Sequence, residues 1–240
     1  MTTKPPKIID LGLDAGDVSF QANGARVDIS TEGAVTVHPA NDNAKPPKPA
    51  FGPAPLEIGQ MVEGKGIYVG VWEPKDEDGK SLGQIFDLYA APEDLTDAHD
   101  VKLVSTYNES VEALKNKKDW HGHDGEHFDN SEAFKEALLN GTYRGGWVMP
   151  PKEILYGRDA RGNEVQADNL YDHKDKGDLK GTFTDKRGSG YAHWYWSSTE
   201  HPDNSSLVYN VDFTDGDDDW DHKDVYKLST RPVWVELRPS

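Results

Sequence analysis

Not one of the 240 residues is cysteine. That absence constrains the fold most, because much of the chain reads as loop and no disulfide can staple it. Thiol nucleophiles and zinc thiolate sites are excluded with it. Order must come from packing, with oligomerisation as a further source. Hydrophobic residues supply only 35% of the chain, but seven Trp, ten Tyr and seven Phe bury large areas each. The combination predicts a compact aromatic core beside a poorly packed segment.

The prolines locate that segment. Lys45-Pro46-Pro47-Lys48-Pro49 and Pro53-Ala54-Pro55 read as extended polyproline-like linker. Residues 1–55 are therefore expected to be an extended N-terminal arm. Within it, Ala25–Ser30 and Ala34–Val37 alternate apolar and polar residues around Glu32-Gly33, the pattern of a small hairpin. Two strands alone are marginal, so the hairpin is expected to dock on a partner chain.

Residues 56–240 carry the patterning of a domain. Gly66–Trp72 and Gln84–Ala90 read as an antiparallel pair of strands. Thr106 and Glu109 form a capping-box pattern, after which Tyr107, Val111 and Leu114 share one helical face. A second helix is predicted to open between Asp129 and Glu132, bury Phe134 and Leu138, and stop at Gly141. Pro150-Pro151 can open a short helix through Leu155. A Gly- and Asp-rich stretch follows to about residue 190, and strands return at 194–198, 207–213 and 228–237. The order of strands, helices, long loops and strands predicts an α+β fold with a small antiparallel sheet and two main helices.

Gly146-Trp147-Val148-Met149-Pro150-Pro151-Lys152-Glu153-Ile154-Leu155 resembles a segment of the family named for the C-terminal domain of a collagen-like bacterial adhesin. That family is a bacterial and phage branch of the C-type-lectin fold. Four further runs match the family pattern in order: Asp175-Lys176-Gly177 with Gly181-Thr182-Phe183, then Tyr195–Glu200, then Val211-Asp212-Phe213 with Gly216, and Arg231–Val235. The resemblance covers residues 145–236 and extends by pattern alone to residue 56; it does not reach the arm. The chain is also similar to the variable proteins of diversity-generating retroelements and to certain phage surface proteins.

This resemblance implies a C-type-lectin-like fold and a non-enzymatic recognition or display role on a virion or cell-surface assembly. The expected partner is a surface receptor or a carbohydrate, with the arm holding virion or surface-assembly proteins. An architectural alternative is a capsid or tail decoration whose lectin-like face contacts neighbouring subunits. A homo-oligomer is expected, with a trimer as the candidate state. The N-terminus lacks the apolar core of a signal peptide and no stretch approaches a membrane-spanning length, so synthesis in the cytoplasm without membrane insertion is expected. A net charge of −17 repels phosphate backbones, and no basic patch offsets it, which argues against nucleic acid.

Trp147, Trp196 and Phe213 are expected to anchor the core, with Arg231 pairing a carboxylate or backbone carbonyls. Exposed positions alternating with apolar ones, namely Tyr191, His193, Tyr195, Tyr209, Asn210, Asp212, Trp220, His222 and Tyr226, mix rings with hydrogen-bonding groups in the manner of a paratope. Aromatics at strand spacing also suit a core, and both readings stay open.

From Glu200 to Asp224 nine carboxylates stand against Lys223, leaving −8 of the −17 in this segment. The Glu-Pro-Asn, Gln-Pro-Asp and Trp-Asn-Asp motifs of calcium-dependent lectins are missing, so solvated loops and no metal are expected. His123 and His127 have helical spacing for zinc, but Gly122 and Gly125 favour a turn between helices. Ser197-Ser198 beside Glu200 or His193 lacks any nucleophile-elbow or oxyanion signature. Neither catalysis nor a cofactor is expected.

Overall fold

The computed structural model describes the strands at 18–22, 25–29 and 35–38, and residues 55–76, 79–185 and 190–239. The chain divides into two compact units, residues 1–54 and 55–240. In the first, β1 (Val18–Ala22), β2 (Ala25–Ile29) and β3 (Val35–His38) form an antiparallel sheet in that order. Val27 faces Val37 across β2 and β3, which is the hairpin expected from alternation, and Ala22 faces Ala25 across β1 and β2. The arm is thus not extended throughout. The added strand is legible in hindsight from Asn23-Gly24, the dipeptide that two-residue hairpins favour. The expected polyproline run Lys45–Pro49 lies outside the described residues.

The second unit is α+β with two antiparallel sheets. Its strands are β4 (Met61–Val62), β5 (Gly66–Trp72), β6 (Phe86–Ala90), β7 (Trp194–His201), β8 (Asn204–Asp212), β9 (Asp218–His222) and β10 (Val233–Leu237). One sheet has the order β10-β6-β5-β4 and the other β7-β8-β9. Between β6 and β7 the described residues hold four α-helices, α1 (Tyr107–Asn116), α2 (Ser131–Leu139), α3 (Lys152–Tyr156) and α4 (Leu170–His173). No helix among the described residues is long and apolar enough to cross a membrane.

Local chemistry sets the helix starts. Thr106 accepts the Glu109 amide hydrogen while the Glu109 carboxylate accepts that of Thr106, a reciprocal cap on α1. Asn130 caps α2 through the Ala133 N–H at 2.9 Å. Pro151 precedes the first residue of α3, and Gly157 ends that helix with φ 79°. Gly70, at a register shift in the β5–β6 pair, has φ 133°, and a Cβ there would meet the Asp168 carboxylate at 2.3 Å. Asp168 accepts the Val71 N–H at 2.8 Å from the same side. The long loop before α4 is thereby tied to the sheet.

The core is aromatic, and the buried indole N–H groups of Trp72, Trp147 and Trp196 each find an acceptor, whereas that of Trp234 has none. Trp147 and Trp196 are fully buried, donating to the carbonyls of Trp120 (2.9 Å) and Ser105 (3.0 Å). Trp72 stacks on Phe134 at 5.8 Å and donates to Glu153. Phe213 is buried between Phe183 and Tyr195, at 4.8 and 4.5 Å.

Arg231 is 0% exposed. It pairs with Asp94 at 2.8 Å and donates to the carbonyls of Ala91 and Thr182, with its guanidinium 4.1 Å from the Phe183 ring centroid. A guanidinium can be buried only when its fixed fork of donors is met this fully. Asp94 takes two more partners, Lys102 at 2.5 Å and the Tyr195 hydroxyl at 3.0 Å.

Candidate binding site

Strand β8 is the middle of its sheet and is buried without a break from Leu207 to Asp212. Strand β9 is the outer edge, exposed at four of its five positions. This division sorts the nine positions expected to face outward.

Five of them do not. Tyr195 is fully buried, donating to Asp94 and accepting from the Thr184 N–H at 2.8 Å. The desolvated Tyr195 hydroxyl, with Asp94 beside it, has its pKa pushed up and stays neutral. Tyr209 is buried, its hydroxyl on the Ala160 carbonyl and the Lys152 ammonium 3.9 Å from its ring centroid. Asn210 is buried and donates to Asp221. Asp212 is buried, accepting the backbone N–H and the hydroxyl of Thr214, with His193, also buried, 3.6 Å away. Period-two alternation assumes one wet face. Strand β7 at 195–198 and strand β8 at 207–212 are buried without alternation, so alternation carried no information there.

The other four, Tyr191, Trp220, His222 and Tyr226, are exposed. Three of them fall in two aromatic groups, and His222 lies opposite Leu207 in the ladder. Tyr191 and Tyr226 meet edge to face at 5.7 Å. Trp220 lies opposite Tyr209 in the β8–β9 ladder and meets His201 edge to face at 5.3 Å, while His201 stacks on Tyr209 at 6.1 Å.

His201 also forms one wall of a cleft of about 400 Å³. Three segments distant in sequence build it: the start of α2 (Asn130–Lys135), the end of β7 with the turn after it (Thr199–Ser205), and the loop following α3 (Asp159–Val165). Lys75 closes a fourth side. At its floor the buried Lys135 ammonium lies 3.3 Å from Glu153 and 3.0 Å from Glu132.

Burial works against the Lys135 charge, but Glu153 and Glu132 more than offset it and hold its pKa above the ordinary lysine range. Burial dominates at Glu153 and raises its carboxyl, with Lys135 and the Trp72 N–H pulling the other way. Glu200 is held by Lys223 at 2.6 Å and the Asn130 amide at 3.1 Å. Lys75 and Arg161 make no ion pair among the described residues.

The acidic segment is dispersed rather than pooled. Asp218 pairs with the buried Lys152 at 2.6 Å, Asp221 accepts from Asn210, and Asp224 accepts from Asn108 at 2.5 Å. The histidines after α1 also separate: His121 is near Glu93, His123 contacts the Gly64 carbonyl, and His127 is near Asp129. Ser197 commits its hydroxyl to the Tyr209 carbonyl at 3.0 Å, so it is not held by a base.

Sequence reasoning reached Trp220 but not the cleft beside it. The α2 start was legible, yet nothing local indicates that Lys75, Arg161 and His201 converge on it. Comparison with known proteins adds no assignment: no family model matches the chain, and no curated protein is significantly similar to it.

Proposed function

We propose that residues 55–240 form a C-type-lectin-like recognition module that binds a surface receptor or glycan and catalyses no reaction. The carrying observation is Trp220, 46% exposed on an edge strand whose inner neighbours are buried, beside an open polar cleft. A large rigid ring held in water on an ordered strand is a contact residue by physical type.

The family-like segments support the fold assignment because they converge. Val148 bridges Val233, Tyr195 pairs with Val211 and bridges Ser229, Thr182 receives Arg231, and Phe183 packs on Phe213. The C-terminal β10 closes against β6, bringing the last strand of the unit beside the first ones. Binding rather than catalysis fits the commitments of Ser197, whose hydroxyl serves the ladder.

The test is adsorption of the full-length chain to immobilised surface polysaccharides and surface proteins, native against Trp220→Ala. The expected result is binding reduced about tenfold or more, with an unchanged melting curve. Equal binding by the variant, or none by the native chain to either class, would overturn the proposal.

A further inference from the structure

Resting on the recognition reading, we infer that the cleft at the start of α2 is a metal-independent site for a neutral, hydroxyl-rich ligand, one or two saccharide rings in size. Its volume of about 400 Å³ falls at the small end of ligand pockets.

Charge decides the ligand class. Five carboxylates and three cations line the cleft, so an anion meets net repulsion. A cation is drawn by that excess but meets Lys75 and Arg161, which have no carboxylate partner among the described residues, so neither sign of charge is favoured throughout the cleft. No group of three metal-ligating side chains occurs among the described residues. What the lining rewards is a molecule that donates and accepts at several points, as vicinal hydroxyls do.

The donors and acceptors are already placed. Ser131 is 4% exposed and lines the cleft, yet its hydroxyl makes no hydrogen bond. The Ser131 oxygen is not sealed off from solvent, so it is open to a partner in the cleft. It sits in the first turn of α2, where backbone N–H groups have no intrahelical acceptor; of these, Asn130 takes that of Ala133. Lys75 and Arg161 add side-chain donors. Glu132 holds Lys135 with one oxygen, leaving the other to accept. His201, backed by Trp220 at 5.3 Å, supplies an aromatic ring for the C–H face of a sugar.

The full-length, isotope-labelled chain would be titrated with glucose, galactose, mannose and N-acetylglucosamine, each with and without chelator, and with glucuronate as an anionic control. The expected result is millimolar binding of at least one neutral sugar that shifts the Ser131, Glu132 and Thr199–His201 amides and is indifferent to chelator. Ser131→Ala, which loses no native hydrogen bond and should melt as the native chain does, and Arg161→Ala should each weaken it by about three- to tenfold. Shifts confined to glucuronate, shifts that require calcium, or none at these amides would overturn the inference. If that happens while Trp220-dependent adsorption persists, the saccharide site falls and the recognition reading stands. Loss of both removes both.

Discussion

Strands β8 and β9 are hydrogen-bonded neighbours with opposite fates. Along β8, Leu207 to Asp212 are all buried; along β9 only Asp221 is partly covered. The tryptophans of this sheet show the contrast: Trp196 on β7 is 0% exposed and Trp220 on β9 is 46% exposed. Residue type did not make the difference. Trp196 lies over Tyr107 at 6.0 Å with its N–H on the Ser105 carbonyl, whereas Trp220 has a sheet edge and one histidine. A ring anchors the fold when a second layer covers it and is available for contact when none does.

The most severe break in this comparison is Trp196→Ala. Removing a buried indole leaves a cavity and takes one of the two donors from the Ser105 carbonyl, which keeps the Leu228 N–H, so a loss of about 3–5 kcal/mol is expected in chemical denaturation. A loss below about 1 kcal/mol would mean that β7 is not covered as described.

The acidic residues sharpen the same contrast at smaller scale. The sequence treats Asp217, Asp218 and Asp219 as equivalent members of a solvated loop, and the structure corrects this for one of them. Asp218 neutralises Lys152, whose side chain is only 2% exposed. Asp218→Asn leaves that ammonium buried without its carboxylate and should cost about 1–3 kcal/mol. Asp217→Asn and Asp219→Asn should fall within about 0.5 kcal/mol. Three equal melting shifts would erase the distinction.

The smallest expected effect is that of chelation. The carboxylates of this segment are drawn to separate partners, and exposed ones are screened over a Debye length of about 8 Å at physiological ionic strength. A bound calcium at a hundredfold excess over its dissociation constant would contribute about 2.7 kcal/mol. The melting temperature should therefore be the same in chelator and in calcium, and a fall of many degrees in chelator would move the centre of the site to the acidic loops.

Local signals account for much of the secondary structure. The capping box at Thr106 and Glu109, the N-cap at Asn130, the diproline before α3 and the span of β5 were all readable because each depends on residues within a few positions. Strand β9 was not readable. Asp218-Asp219-Trp220-Asp221-His222 has poor strand propensity and pairs only because β8 offers an unoccupied edge.

The sequence by itself determined the order of strands β5 to β8 and β10 and of helices α1 to α3, the anchoring positions Trp147, Trp196, Phe213 and Arg231, and the absence of any disulfide. Those follow from periodicity, caps and residue size, which act over short stretches of chain. Tertiary structure alone decided which aromatics face water, which aspartate holds Lys152, and that Lys75, Ser131, Arg161 and His201 line one cleft. Burial and convergence depend on what covers a residue from a distant segment, and no spacing along the chain encodes that.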